Sequence, residues 1–123
     1  MPFTTGIITS TRAVGTAATN VVVSTRNVNS VDATILVKVF GVPITTLTLT
    51  PFYVISFIVP ANTADIREFF IAGNVAYEVQ ISNLTPTAEV VFSTYGLDEM
   101  GNIVDEQRVL QSELTPIPVL STT

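Results

Sequence analysis

Hydrophobic and polar residues alternate with period two along most of the chain, and stripes at helical i, i+3, i+4 spacing are rare, so the pattern predicts strands throughout. Asn74 to Asn83 is the clearest segment. Val75, Tyr77, Val79 and Ile81 share one face, with Ala76, Glu78, Gln80 and Ser82 on the other, as in a strand with one face on a core and one in water. From Val31 to Phe40 the odd positions Val31, Ala33, Ile35, Val37 and Val39 oppose Asp32, Thr34, Leu36, Lys38 and Phe40, and both faces are partly apolar. Further strands are predicted at Asn20–Arg26, Ile44–Thr50, Phe52–Val59, Asp65–Ile71, Ala88–Tyr95 and Glu106–Leu114. Turn chemistry separates them: Asn27 to Ser30, Gly41 to Pro43, Pro60 to Thr63, Gly73-Asn74, Asn83 to Pro86 and Asp98 to Asn102. Pro116 and Pro118 are expected to end the pairing. Short strands separated this regularly predict an all-β fold of two packed antiparallel sheets, a β-sandwich of jelly-roll-like kind.

The leading residues read differently. Phe3, Ile7, Ile8 and Val14 are scattered among Thr, Ser and Gly, and Gly15 to Ala18 supplies a flexible joint. We therefore divide the chain into an N-terminal arm, residues 1–16, and a sandwich domain, residues 17–123. If the arm is fully extended, Phe3, Ile7, Thr9, Thr11 and Ala13 fall on one face. Fourteen extended residues reach about 45 Å, far enough to lie across a neighbouring subunit and add a strand to its sheet. A tail, or a first strand of the same domain, satisfies the same residues.

Composition turns this outline towards assembly. The chain is 47% hydrophobic and only 12% charged, against about 25% charged in ordinary soluble domains, so partner chains are expected to cover part of it. Its 123 residues suffice for one core. Cysteine, histidine and tryptophan are absent, which removes disulfides, thiolate or imidazole metal sites and the usual neutral-pH acid–base group. The net charge of -5 argues against nucleic acid, whose phosphates need clustered Lys and Arg. Residues 1–64 carry a net +2 and residues 65–123 a net −7, a division that would suit head-to-tail stacking. The most apolar run, Phe52 to Ala61, is about half the roughly 20 residues of a membrane-spanning helix, so no span is expected. Met1 to Gly15 lacks the basic start of an export signal.

Candidate chemistry is thin. Asp98-Glu99 and Asp105-Glu106 are the paired carboxylates a glycosidase would need, but adjacent acids on a turn are ordinarily solvated. Asp98, Asn102 and Asp105 could offer oxygens to calcium, at a spacing that does not match an EF-hand. Lys38 is the only lysine; it could form a covalent link to an asparagine, or guard a strand against edge pairing. Asn83-Leu84-Thr85 fits a glycosylation sequon and, equally, a turn. No catalytic residue, metal or cofactor is expected, and an enzyme is not.

Three stretches carry a resemblance: Phe57-Ile-Val-Pro-Ala-Asn-Thr-Ala-Asp-Ile-Arg-Glu-Phe-Phe, Ala76-Tyr-Glu-Val-Gln-Ile, and Tyr95-Gly-Leu-Asp-Glu-Met-Gly-Asn-Ile-Val-Asp-Glu-Gln-Arg-Val-Leu-Gln-Ser-Glu-Leu. This pattern of strands and turns resembles small β-sandwich spore-surface proteins of Bacillus relatives, including endospore appendage fibre subunits. The resemblance implies a jelly-roll-like subunit that polymerises with copies of itself, its N-terminal arm docking into the next subunit through Phe3, Ile7, Ile8 and Val14. It also implies an extracellular place on the spore surface after assembly inside a mother cell, with spore-coat or exosporium proteins as anchors. One departure stands out: appendage subunits carry cysteines in their N-terminal connectors, and this chain has none. The rival expectation is an oligomeric binding module of the phage decoration or receptor-binding type.

Overall fold

Alternation is what lets each strand give one face to a core and the other to solvent, and two sheets stacked on those apolar faces follow from it. A computed structural model describes residues 2–13, 15–85 and 89–121 of the chain. Its strands are β1 (Pro2–Thr4), β2 (Ile8–Thr9), β3 (Asn20–Asn27), β4 (Ala33–Pro43), β5 (Thr50–Val59), β6 (Ala64–Phe70), β7 (Asn74–Asn83), β8 (Val90–Leu97), β9 (Ile103–Val109) and β10 (Thr115–Pro116). One sheet has the order β10-β1-β7-β4-β5, with β2 also on β7; the other has the order β6-β3-β8-β9. Every pairing is antiparallel. The fold is therefore an all-β sandwich.

The pairings nest. β4 pairs with β5, β3 with β6 around them, and the leading segment with β7 around those. The core lies between the sheets, built from Val21 and Val23 of β3, Ile35, Val37 and Val39 of β4, Tyr77, Val79 and Ile81 of β7, and Phe92 of β8. Each fully buried aliphatic side chain of this set contributes about 1.5–3 kcal/mol. The period-two reading of β4 and β7 thus names the core residues directly.

Three predicted segments differ. Gly41–Pro43, expected as a turn, continues β4 and pairs with β7. Ile44–Thr50 is a turn region, not a strand: Thr46 and Leu47 N–H groups both donate to the Pro43 carbonyl, and Leu47 takes a positive φ of 55°. Thr48 and Thr50 hydroxyls donate to the carbonyls of Thr46 and Thr48, the local competition by which threonine draws backbone away from a ladder. The last long strand begins earlier than predicted, at Ile103, and closes in a 3₁₀ turn at Gln111–Glu113. Pairing then resumes briefly at Thr115–Pro116 on β1, an edge position where proline is tolerated.

The basic and acidic halves of the sequence do not form separate sheets: β3 lies between β6 and β8, and β4 between β5 and β7, so early and late strands interleave. Among the described residues no helix is long and apolar enough to cross a membrane.

Candidate assembly site

The leading segment closes its own sheet. Phe3 lies opposite Ile81, and Thr4 opposite Gln80, while Ile8 lies opposite Tyr77 and Thr9 opposite Ala76. Five steps separate Phe3 from Ile8, but only four separate Ile81 from Tyr77, so the segment carries one extra residue, as in a β-bulge. Gly6, at φ 71°, absorbs it in a conformation that costs glycine little. The extra residue switches parity. Phe3 and Ile8 both pack against the core, and the Phe3 ring sits 6.3 Å from that of Phe92.

Ile7, by contrast, is 57% exposed. The expected face of Phe3, Ile7 and Thr9 does not form, because that reading assumed unbroken extension through Gly6. Val14, the fourth predicted arm residue, lies outside the described residues. Thr5 adds a reciprocal pair with Val79, whose N–H donates to the Thr5 hydroxyl while Thr5 N–H donates to the Val79 carbonyl, both at 3.0 Å. The Thr4 hydroxyl donates to Glu78.

Ser10 ends this glycine- and threonine-rich stretch with a fixed point, and nothing in the residue pattern announces it. It is fully buried. Its N–H donates to Val75 O at 2.7 Å, and its carbonyl accepts from Ala17 N at 2.6 Å. Its hydroxyl oxygen accepts from Ala18 N at 3.0 Å and from Gln107 Nε2 at 3.2 Å. Gln107 reaches across from β9, donating also to Thr9 O at 3.3 Å, and its Oε1 accepts from the Tyr77 hydroxyl at 2.9 Å. Burial pushes the Tyr77 phenol well above its ordinary pKa, as desolvation disfavours the phenolate. Gly96 makes the room: a Cβ there would lie 2.0 Å from Gln107 Oε1.

The C-terminal segment crosses the outer face of the same sheet. Ser121 N–H donates to Gln80 Oε1, Gln80 Nε2 to the Ser121 hydroxyl, and Lys38 Nζ to the Ser121 carbonyl at 2.6 Å. Lys38 is thus a clamp on the chain's own tail. Ile117 N–H donates to Pro2 O, so both ends of the chain meet on β7.

The acidic candidates do not converge. Asp98 Oδ1 accepts from Met100 and Asn102 N–H groups and shapes its own turn. Glu99 pairs with Arg12 at 3.0 Å; a backbone hydrogen bond first, and then the guanidinium, hold its carboxyl below the usual range. Asp105 and Glu106 are exposed on β9. Among the described residues no three acidic side chains gather into a cation site. Asn83 Oδ1 accepts from Thr85 N–H, an Asx turn.

Comparison of the chain with protein-family models, with curated proteins and with solved structures returned no match. The functional argument rests on the geometry just described.

Proposed function

We propose that this chain is a structural subunit that assembles with copies of itself by exchanging its N-terminal arm. β1, residues 2–4 of one copy, leaves its own β7 and takes the same place on β7 of the next, while residues 5–9 become the crossing between copies. The observation that carries this is the seating of Phe3 and Ile8 in the core by only two short strands, joined through Gly6 and followed by the buried anchor at Ser10. A segment that closes its own sheet cannot serve a neighbour at the same time, so assembly through the arm requires exchange and not simple addition. Exchange costs little for β1, because each of its contacts broken within a copy is remade between copies. With Ser10 fixed, the six steps from Ser10 to Thr4 reach about 20 Å, which sets how closely the exchanging copies must pack.

The nesting of the strands supports a jelly-roll-like order in which the arm fills the place beside β7. Exchange passed head to tail produces an open fibre, and exchange that closes on itself produces a ring or dimer. We assign the open fibre, a spore-surface appendage or similar filament in the setting that the family resemblance suggests. The absence of cysteine means that such a fibre is not held by disulfides, and the exchanged strand holds it by packing and hydrogen bonds or another covalent link.

A paired-cysteine variant tests this. In Thr4→Cys/Gln80→Cys the two thiols lie on directly opposed residues, within cross-strand reach of a disulfide, and no native cysteine competes. Oxidised as monomer, the variant should lock its arm at home and form no filaments until reduced. Oxidised after assembly, it should give a ladder of covalent multimers on a denaturing gel. Filaments that yield only covalent monomer, or a native chain that stays monomeric at high concentration, would refute arm exchange. A closed trimer without filaments would favour the binding-module reading.

A further inference from the structure

An exposed sheet edge invites another strand, and folded proteins ordinarily guard such edges with charges, proline, bulges, short length or a covering segment. The margins of this sandwich are guarded unequally. β1 is covered by β10, which is two residues long and contains Pro116. β6 turns Asp65 and Arg67 inward, where they pair at 2.8 Å, and the Arg67 guanidinium lies 3.9 Å from the centre of the Phe57 ring. β9 carries Asp105, Glu106 and Arg108, all exposed.

β5 has none of these guards beyond Pro51 near its start and the bulge beside it, where Phe52 is skipped in the pairing with β4; from Tyr53 to Val59 the strand is regular. It runs for ten residues without a charged side chain and pairs, among the described residues, only with β4. Its inward side chains, including Phe57 and Val59, are buried or half-buried. Its outward positions Phe52, Val54 and Ile58 are 43%, 62% and 62% exposed, a degree of apolar exposure that marks an interaction surface.

We propose that β5 is a homodimer interface, pairing edge to edge and antiparallel with β5 of a second copy. Charge selects this occupant. Main-chain pairing needs a strand whose own edge is free, and within this chain β6 and β9 would each bring carboxylates against the apolar row. β5 set on itself places no like charges opposite one another and no charge against an apolar side chain. Directly opposed residues in an antiparallel pair project to the same face. With the two-fold axis at Ser56, Val54 of each copy meets Ile58 of the other, and Ser56 meets its own copy. The contact is isologous and closes at two. β5 and β1 lie at opposite sides of the sheet, separated by β4 and β7, so this pairing does not depend on the arm; combined with arm exchange it would join two filaments side by side.

Two variants test it in the full chain. Ser56→Cys, the only thiol present, should form a disulfide-linked dimer on mild oxidation at least about ten-fold faster than Ser30→Cys, at an exposed position between β3 and β4. Val54→Lys/Ile58→Lys changes two exposed positions and should leave the circular-dichroism spectrum unchanged while weakening the dimer, measured by sedimentation, at least about ten-fold, or about 1.4 kcal/mol. Equal oxidation rates at the two cysteines would overturn the pairing. So would a dimer constant untouched by the two lysines, whether the native contact proves absent or is made by the arm or another surface.

Discussion

Replacing Ser10 by alanine removes one oxygen from a fully buried position, and the surrounding hydrogen bonds say what that should cost. The oxygen accepts from Ala18 N at 3.0 Å and from Gln107 Nε2 at 3.2 Å. Ala18 is itself fully buried, so its N–H loses its acceptor where water does not reach; an orphaned buried donor costs about 1–3 kcal/mol. Gln107 Nε2 keeps its bond to Thr9 O and loses only one of two, a further loss of about 0.5–1.5 kcal/mol. Together these give roughly 2–4 kcal/mol, a large share of the roughly 5–15 kcal/mol available to a domain. At about 4 °C per kcal/mol for a chain of this size, the melting temperature should fall by roughly 8–16 °C. Urea unfolding of the monomeric fraction, followed by far-ultraviolet circular dichroism, measures the loss; an unchanged m-value confirms that the folded state bears it. Thr11→Ala, exposed one residue away, should shift stability by no more than about 0.5 kcal/mol. If Ser10→Ala is as mild as Thr11→Ala, Ser10 is not the anchor and the division between an exchanging arm and a fixed domain fails.

Neighbouring isoleucines should behave oppositely. Ile8→Asp places a carboxylate against the core and should cost roughly 2–4 kcal/mol, whereas Ile7→Asp, at an exposed position, should stay within about 0.5 kcal/mol; equal losses in urea melts would contradict the parity switch at Gly6. The raised pKa of Tyr77 fixes the sign of an alkaline effect. The neutral phenol is favoured in the fold, so its stabilisation is complete below the unfolded tyrosine pKa of about 10 and is lost as pH rises beyond it, by about 1.4 kcal/mol per pH unit. The urea midpoint should therefore fall above about pH 10, and Tyr77→Phe should flatten that slope by one proton; an unchanged slope would place the phenol in solvent.

Period two identified the sheets and much of the core because alternation is a direct record of which side of a strand is buried. Reasoning from position alone works in β4 and β7: Ile35, Val37, Val39, Tyr77, Val79 and Ile81 are all fully buried. It fails where one residue breaks the count. Gly6 inserts an extra step in the arm, and every side chain before it changes face relative to those after it. In Ile44–Thr50, Leu47 and Leu49 alternate with threonines as in a strand, yet Pro43 accepts the hydrogen bonds of Thr46 and Leu47 and turns the chain before a ladder can begin. Ser10 and Gln107 are not legible in the sequence for another reason: a buried polar residue has no periodic signature, and its role appears only when partners 97 positions apart in sequence are brought together.

The same logic explains why so weakly charged a chain need not be indiscriminately adhesive. β6 and β9 hold a large part of the chain's few charges at sheet margins, and Arg12 and Lys38 hold the ends of the chain against the domain. What remains is one long uncharged strand, β5, whose outer edge has no partner among the described residues, on the side of the sheet farthest from the arm. Charge placed wherever pairing would be promiscuous, and withheld where a copy of the same strand is the best complement, directs association through edge identity instead of general hydrophobicity. In the assembly we propose, arm exchange would supply direction along it and β5 pairing contact across it. Each can be abolished without the other, by a disulfide at Thr4 and Gln80 or by lysines at Val54 and Ile58.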